Sequence, residues 1–309
     1  MIKPKVLRFG DTVGIIAPAS PTTDGNIKKV EKKLTDMGFK VKMGKSVYER
    51  YGYLSGNDAV RAEDINSMFK DKEIDGIICI RGGYGTPRIL DLIDYEIIKE
   101  NPKVFVGYSD ITALHIAFNQ IAGLVTFHGP MAASDMVRNF SDFSKDHLLK
   151  AIMDDEPLGG ISNPEGEEII TINGGIGEGE IIGGNLSLIV DTIGTPYEID
   201  VKGKILFIEE VGEEPYNIDR MFNQLRLSGK LSEAEAIILG DFNKCDPEKP
   251  DESLTLEQVI NDHIKPLGKP TIYNLQAGHC EPMVTIPFGV RARLDADKQE
   301  LTILENATE

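Results

Sequence analysis

The chain has 309 residues, 41% apolar and 27% charged, and its 50 acids against 33 bases leave a net charge of -17. That surplus of acid excludes nucleic acid and anionic membrane as partners, because phosphate surfaces are bound through excess lysine and arginine. No apolar run approaches the roughly 20 residues that span a bilayer, and three scattered cysteines make no disulfide framework. The opening residues Met1-Ile2-Lys3-Pro4-Lys5-Val6 lack a signal-peptide core, so a cytoplasmic protein is expected.

In chain order, the first half alternates strands and helices. Residues 13–17 read as a strand, followed by a helix with Ile27, Val30, Leu34 and Met37 on one face. A short strand at 39–41 precedes a helix burying Ala62, Ile65, Met68 and Phe69. Strands at 75–80 and 104–106 come next. A helix carrying Ile111, Leu114, Phe118 and Ile121 then leads to a strand at 124–127. This alternation predicts an α/β domain with a parallel sheet covered on both faces, its site beyond the carboxyl ends of the strands. The texture changes between 156 and 179, where Pro157, Gly159, Gly160, Pro164, Gly166, Gly174, Gly175, Gly177 and Gly179 accumulate. The expected layout is therefore a first domain at 1–157, a linker at 158–178 and a mixed α/β, β-rich domain at 179–309. In that second domain strands are expected at 180–182, 205–208 and 236–239, with a β-rich tail at 283–304. One helix starts at Asn185, buries Leu186, Ile189, Val190 and Ile193 and stops at Gly194. Another buries Ile218, Met221, Phe222 and Leu225 and stops at Gly229.

The turn Gly107-Tyr108-Ser109-Asp110 carries the most chemistry. A serine between a buried strand and a helix is held out from the sheet edge, next to free helical N–H groups suited to a developing oxyanion. This resembles a nucleophile elbow, although Ile111 stands where the second glycine of G-x-S-x-G belongs. The competing reading is that Ser109 or Asp110 only caps the helix. A serine needs an oriented base. Of five histidines, His115 lies on the same helix and turns away, while His147 and His263 fall in polar helical stretches and are expected to be solvated. His128 and His279 remain, each after an apolar segment and beside a glycine. For the orienting acid, Glu209 and Glu210 follow the apolar run Ile205-Leu206-Phe207-Ile208, and in an extended strand only one of them can face a given site. The glycines of Arg81-Gly82-Gly83-Tyr84-Gly85 allow close backbone approach to a ligand. Together with Gly183-Gly184-Asn185 they leave open a non-catalytic module binding a phosphate or nucleotide. Neither H-E-x-x-H nor C-x-x-C occurs, so no metal and no cofactor is expected.

Seven fragments together resemble the LD-carboxypeptidases, a family of serine peptidases that includes the microcin-immunity enzymes. They are Gly14-Ile15-Ile16-Ala17-Pro18-Ala19-Ser20, Arg81-Gly82-Gly83-Tyr84-Gly85, Gly107-Tyr108-Ser109-Asp110, Phe127-His128-Gly129-Pro130, Gly183-Gly184-Asn185-Leu186, Phe207-Ile208-Glu209-Glu210-Val211-Gly212 with Pro215-Tyr216-Asn217-Ile218-Asp219-Arg220, and Gly278-His279 with Thr285-Ile286-Pro287-Phe288-Gly289. They stand in the family's order over nearly the whole chain. The resemblance implies a Ser109 nucleophile, a His279 base and a Glu209 orienting acid, the serine in the first domain and the other two in the second. His128 is then expected in the first-domain wall of the cleft. Asp110 and a glycine of Gly82-Gly83 are the expected oxyanion donors. Arg81 is the candidate for a terminal carboxylate, unless a salt bridge braces it in the loop, and Asn185 is grouped with the substrate-binding residues. The substrate implied is a small peptide, the murein tetrapeptide, cut to release its terminal D-alanine. The microcin-immunity branch instead cleaves peptidyl nucleotides and resembles itself in a base-stacking tryptophan. This chain has none, which favours the murein branch. By analogy with the family a homodimer is expected.

Overall fold

The computed structural model describes residues 1–309. Its first half contains β1 (Thr12–Ile16), α1 (Asp24–Asp36), β2 (Lys40–Met43), α2 (Asp58–Lys70), β3 (Gly76–Cys79), α3 (Tyr95–Glu100), β4 (Val104–Gly107), α4 (Thr112–Ala117), β5 (Thr126–His128) and α5 (Asp142–Met153). The second half adds β6 (Gly159–Ile161), β7 (Ile170–Asn173), β8 (Ile176–Asn185), α6 (Leu186–Asp191), β9 (Ile205–Val211), α7 (Pro215–Leu227), α8 (Lys230–Glu233), β10 (Ala236–Asn243), α9 (Leu256–His263), β11 (Thr271–Tyr273), β12 (Ile286–Phe288), β13 (Arg291–Asp295) and β14 (Glu300–Ile303).

Two sheets organise these elements. The first has the order β12-β5-β4-β3-β1-β2, and the second β6-β14-β13-β8-β9-β10-β11-β7. In the first sheet β3 and β4 are buried along their whole length, as helices on both faces require. The covering helices follow ordinary end chemistry. Thr23 accepts from the Asn26 N–H ahead of α1, whose Ile27, Val30 and Leu34 face the sheet. Asn57 caps α2 in the same way through Val60. No helix is long and apolar enough to cross a membrane.

Three expectations change here. Residues 158–178 are not a linker. They supply β6, which pairs with β14, and β7, which pairs with β11, so even a glycine-rich stretch finds partners along open sheet edges. The β-rich tail does not stay in the second sheet either: β12 pairs antiparallel with β5, making the first sheet mixed and stitching the halves together. The helix after Ser109 is not regular. A 3-10 turn at Ser109–Ile111 feeds α4, which ends in a π turn at Phe118–Ala122, and Ile121 emerges 44% exposed. The extra residue per turn carries Ile121 off the apolar stripe that its spacing implied.

Candidate active site

Between the two sheets lies an open cleft of about 530 Å3. Its first-domain wall comes from the loops after β3 (Arg81, Gly82, Gly83), β4 (Tyr108, Ser109) and β5 (Met131, Ser134, Asp135, Arg138). The opposite wall is Val211 at the end of β9, Asn243 and Lys244 at the end of β10, and His279 beyond β11. All are at carboxyl ends of strands, where a sheet leaves backbone groups free and side chains convergent.

Ser109 sits at the sharp turn out of β4 with φ +64°, in the left-handed region, although it is not a glycine. Such a conformation costs on the order of 1 kcal/mol or more and persists only where surrounding structure holds it. The turn presents Oγ to the cleft 3.0 Å from Nε2 of His279. On the far side of the ring, Nδ1 lies 2.7 Å from Oε2 of Glu209. Ser109 and His279 are partly exposed while Glu209 is fully buried. Close approach of the carboxylate depends on Gly278, which has φ +117° and whose missing Cβ would stand 2.7 Å from Glu209 Oε2.

Burial disfavours a charged His279, but the Glu209 carboxylate and its hydrogen bond outweigh that, with Glu210 and Asp135 adding to them. The imidazole therefore titrates above its ordinary value. Two further contacts fix the ring. Asn243 Nδ2 donates to the His279 carbonyl at 2.7 Å. Tyr108 meets the imidazole edge-on at 4.9 Å between centroids, and its hydroxyl donates to Asp135 Oδ1 at 3.0 Å. Asp135 also accepts the Met131 N–H at 2.7 Å. Burial raises its carboxyl to about 6 against the pull of those two donors. Asn243 and Asp135 escaped the sequence reading. Asn243 had a signal, since it ends an apolar strand much as Glu209 does, whereas Asp135 sits in an irregular turn.

The glycine loop lies where it is expected. A Cβ on Gly82 would fall 3.0 Å from Ser109 Oγ and 3.4 Å from the Asp110 nitrogen. The N–H groups of Gly82, Gly83 and Asp110 have no acceptor within the protein, leaving donors around the serine for an oxyanion. The Asp110 side chain faces away. It is buried and accepts from the Thr86 N–H at 2.8 Å, locking the loop after β3 onto the elbow.

Several expectations are corrected. His128 is not in the cleft wall but wholly buried beneath it, packed edge-on against Phe207 at 5.0 Å, with neither ring nitrogen partnered. Its neighbour His115 donates from Nε2 to the Gly107 carbonyl at 2.8 Å and points away from Ser109. His263 is mostly buried against Asp219, at 2.7 Å, and His147 packs tilted against Phe143 at 4.5 Å between centroids, so neither is simply solvated. Asn185 does not reach the cleft. Its Nδ2 donates to Glu210 at 2.9 Å, while Oδ1 caps the Leu188 N–H of α6. Gly183 and Gly184 form no phosphate cradle, because a Cβ on them would meet the Phe207 carbonyl at 1.9 Å and Thr112 Oγ1 at 2.3 Å. They are small to let β8 close on β9 and α4. Arg81 does line the cleft, but its Nη1 donates to the Pro21 carbonyl at 3.3 Å and forms no ion pair. Of the adjacent acids, Glu209 faces the site. Glu210 faces the other side, where it accepts from Asn185 and from the backbone and hydroxyl of Ser187. A roomier cleft, about 600 Å3, opens in the second domain among Glu214, Asp219, Glu248 and Glu252, but it holds no nucleophile beside a base.

A two-domain α/β fold with a serine, an imidazole and a carboxylate in series at the domain junction is the architecture of a hydrolase of the acyl-transfer type. Comparison with known proteins makes the class specific. The model of the LD-carboxypeptidase N-terminal domain matches residues 13–129 and that of the C-terminal domain residues 178–294. The chain therefore belongs to the LD-carboxypeptidase family and is a carboxypeptidase. It is 42% identical over 99% of its length, and 96% of the relative's, to the probable murein peptide carboxypeptidase of Bacillus subtilis. It is 30% identical to the microcin C7 self-immunity protein MccF of Escherichia coli, over 97% of this chain and 94% of that one. Among solved structures, the muramoyltetrapeptide carboxypeptidase of Oxalobacter formigenes superposes with a TM-score of 0.82 at 29% identity, covering 94% of this chain and 97% of that one.

Proposed function

We propose that the protein is a cytoplasmic serine LD-carboxypeptidase that removes the terminal D-alanine from murein tetrapeptide through an acyl-enzyme. The observation that carries this reading is the series Glu209–His279–Ser109, with links of 2.7 and 3.0 Å, opening onto a cleft between the domains. The relatives named for murein peptides support the substrate class.

In this reading His279 Nε2 takes the Ser109 proton as Oγ attacks the peptide carbonyl. The same nitrogen then gives that proton to the departing D-alanine amine, and a water activated by His279 releases the acyl group. Glu209 holds the Nδ1–H tautomer and stabilises the imidazolium. Backbone N–H of Asp110 and of Gly82 or Gly83 take the oxyanion, each donor worth on the order of 3 kcal/mol of barrier. Asp110 thus serves through its backbone alone, while Arg81 lines the cleft beside the glycines.

Mass spectrometry of products from a tetrapeptide panel, with pentapeptide and all-L controls, tests the proposal. D-alanine release by the wild type and its loss in Ser109→Ala, with thermal unfolding unchanged, is the expected result. Equal loss of folding in that variant would return Ser109 to a capping role. The match to MccF supports a second reading, cleavage of peptidyl nucleotides. A kcat/KM for such a compound above that for tetrapeptide would select it.

A further inference from the structure

The chain carries 50 acids and 33 bases, yet its cleft is lined by three cations, Arg81, Arg138 and Lys244, and none of them pairs with a carboxylate. The one acid in the lining, Asp135, is tied to Tyr108 and the Met131 N–H. Unpaired cations concentrated in an acidic protein mark where an anion binds.

The direction of the reaction decides which cation meets which part of the substrate. In the proposed mechanism, on which this inference rests, His279 Nε2 returns a proton to the leaving amine. The departing amino acid therefore lies on the His279 side of Ser109. Its carboxylate is attached to the carbon that bears that amine, so its counter-ion must stand on the same side. Arg81 belongs to the loop that carries the proposed oxyanion donors, on the first-domain wall, and one of its amino groups donates to the Pro21 carbonyl. Arg138 follows β5, on the first-domain wall. Lys244 is different. It directly follows Asn243, whose amide grips the His279 carbonyl, so backbone and imidazole are mechanically joined. It is exposed in the cleft, and its φ of +55° is left-handed for a residue with a full side chain. Asparagine or glycine would sit there at lower cost. A costly lysine at the rim beside the base is a functional outlier of the kind held at ligand clamps.

We propose that Lys244 is the specificity-determining residue that binds the free α-carboxylate of the departing amino acid, and so restricts the enzyme to chain ends. The ammonium suits the task as a compact charge on a long stem that follows the carboxylate as it leaves.

Binding to the inactive Ser109→Ala protein tests this without turnover. Calorimetry would compare a tetrapeptide ending in D-alanine with the same peptide ending in D-alanine amide, in Ser109→Ala alone and with Lys244→Met, Lys244→Arg or Lys244→Gly added. The acid should bind Ser109→Ala about 10- to 100-fold more tightly than the amide, the range of a charge-assisted hydrogen bond. Lys244→Met and Lys244→Gly should bring the ratio close to one, and Lys244→Arg should restore much of it. Lys244→Gly relieves the backbone, so its melting temperature should not fall, which separates recognition from folding. An acid preference that survives Lys244→Met, or that is absent with Lys244 intact, overturns the assignment. Failure of the wild type to release D-alanine despite an acid preference that depends on Lys244 would overturn the reaction and leave the carboxylate site standing.

Discussion

The turns after β5 and after β11 look alike as sequence and behave as opposites in the fold. Phe127-His128-Gly129 and Ala277-Gly278-His279 each bring a histidine beside a glycine after an apolar run. His128 ends buried among Tyr108, Phe207 and Phe288 without a hydrogen-bond partner, and burial holds it neutral, well below its ordinary titration range. His279 keeps both nitrogens engaged, and although burial opposes its charge, the acids around it push it up. The difference arises from what the other half of the chain delivers. β9 brings the apolar Phe207 to one ring and the carboxylate of Glu209, two residues on, to the other. A base is made by its partners, and being near a turn does not suffice.

The largest test of this contrast is to delete the favoured ring. His279→Ala should lower kcat by about 10^4- to 10^6-fold, and Glu209→Gln by about 10^4-fold, with the double variant far less than additive, since residues acting as a unit fail together. Single-turnover assays on tetrapeptide check this, and independent, additive losses would break the unit. Next in size is Gly278→Ala. Its Cβ needs space 2.7 Å from Glu209 Oε2 at a φ of +117°, so it should cost about 1–3 kcal/mol of stability and at least tenfold in kcat/KM. Thermal melts and kinetics together decide whether the damage reaches the carboxylate.

A smaller effect concerns pH. In the proposed mechanism only neutral His279 accepts the serine proton, and its titration is raised, so the acid limb of kcat/KM should lie above the ordinary histidine range near 6.5. Removing the charge that raises it, by Glu209→Gln, leaves burial dominant and should move the residual limb to lower pH. The pair's stability follows the same sign. It is fully present below the unfolded histidine value and fades as pH rises through the folded one. A limb that stays put in Glu209→Gln would mean that Glu209 is not what raises the base.

How much of this was legible depends on the range of the forces involved. The strands around Ile77 and Phe105, the helix stop at Gly229 and the turn at Ser109 follow from local pattern and turn chemistry, which neighbouring residues contain. Strand alternation says that only one of Glu209 and Glu210 can face the site, and the family resemblance, not the alternation, pointed to Glu209. What stayed hidden is set by contacts far apart in sequence. The capture of β12 by β5, the use of Gly159–Ile161 as an edge strand beside β14 and the diversion of Asn185 to Glu210 are examples. Glycine-rich segments misled twice, because glycine marks close backbone approach of any kind, whether to a ligand at Gly82 or to a neighbouring strand at Gly183.

The mildest prediction addresses the disfavoured ring. Two buried imidazole nitrogens without partners cost free energy, and an apolar side chain of similar volume removes that cost. His128→Met should therefore leave kcat within about threefold and should not lower the melting temperature at pH 8. Its clearer mark is on the acid side. In the native protein His128 stays neutral as pH falls, while in the unfolded chain it gains a proton near 6.5, so the unfolded state binds more protons and stability drops. One such group contributes up to about 1.4 kcal/mol per pH unit to that decline. His115, held down to about 4 by burial, contributes in the same direction over a narrower window. Denaturant melts of wild type and His128→Met between pH 7 and 5 should diverge steadily in favour of the variant. Parallel curves would mean that His128 finds a partner in solution, and the contrast between the two turns would then rest on position alone.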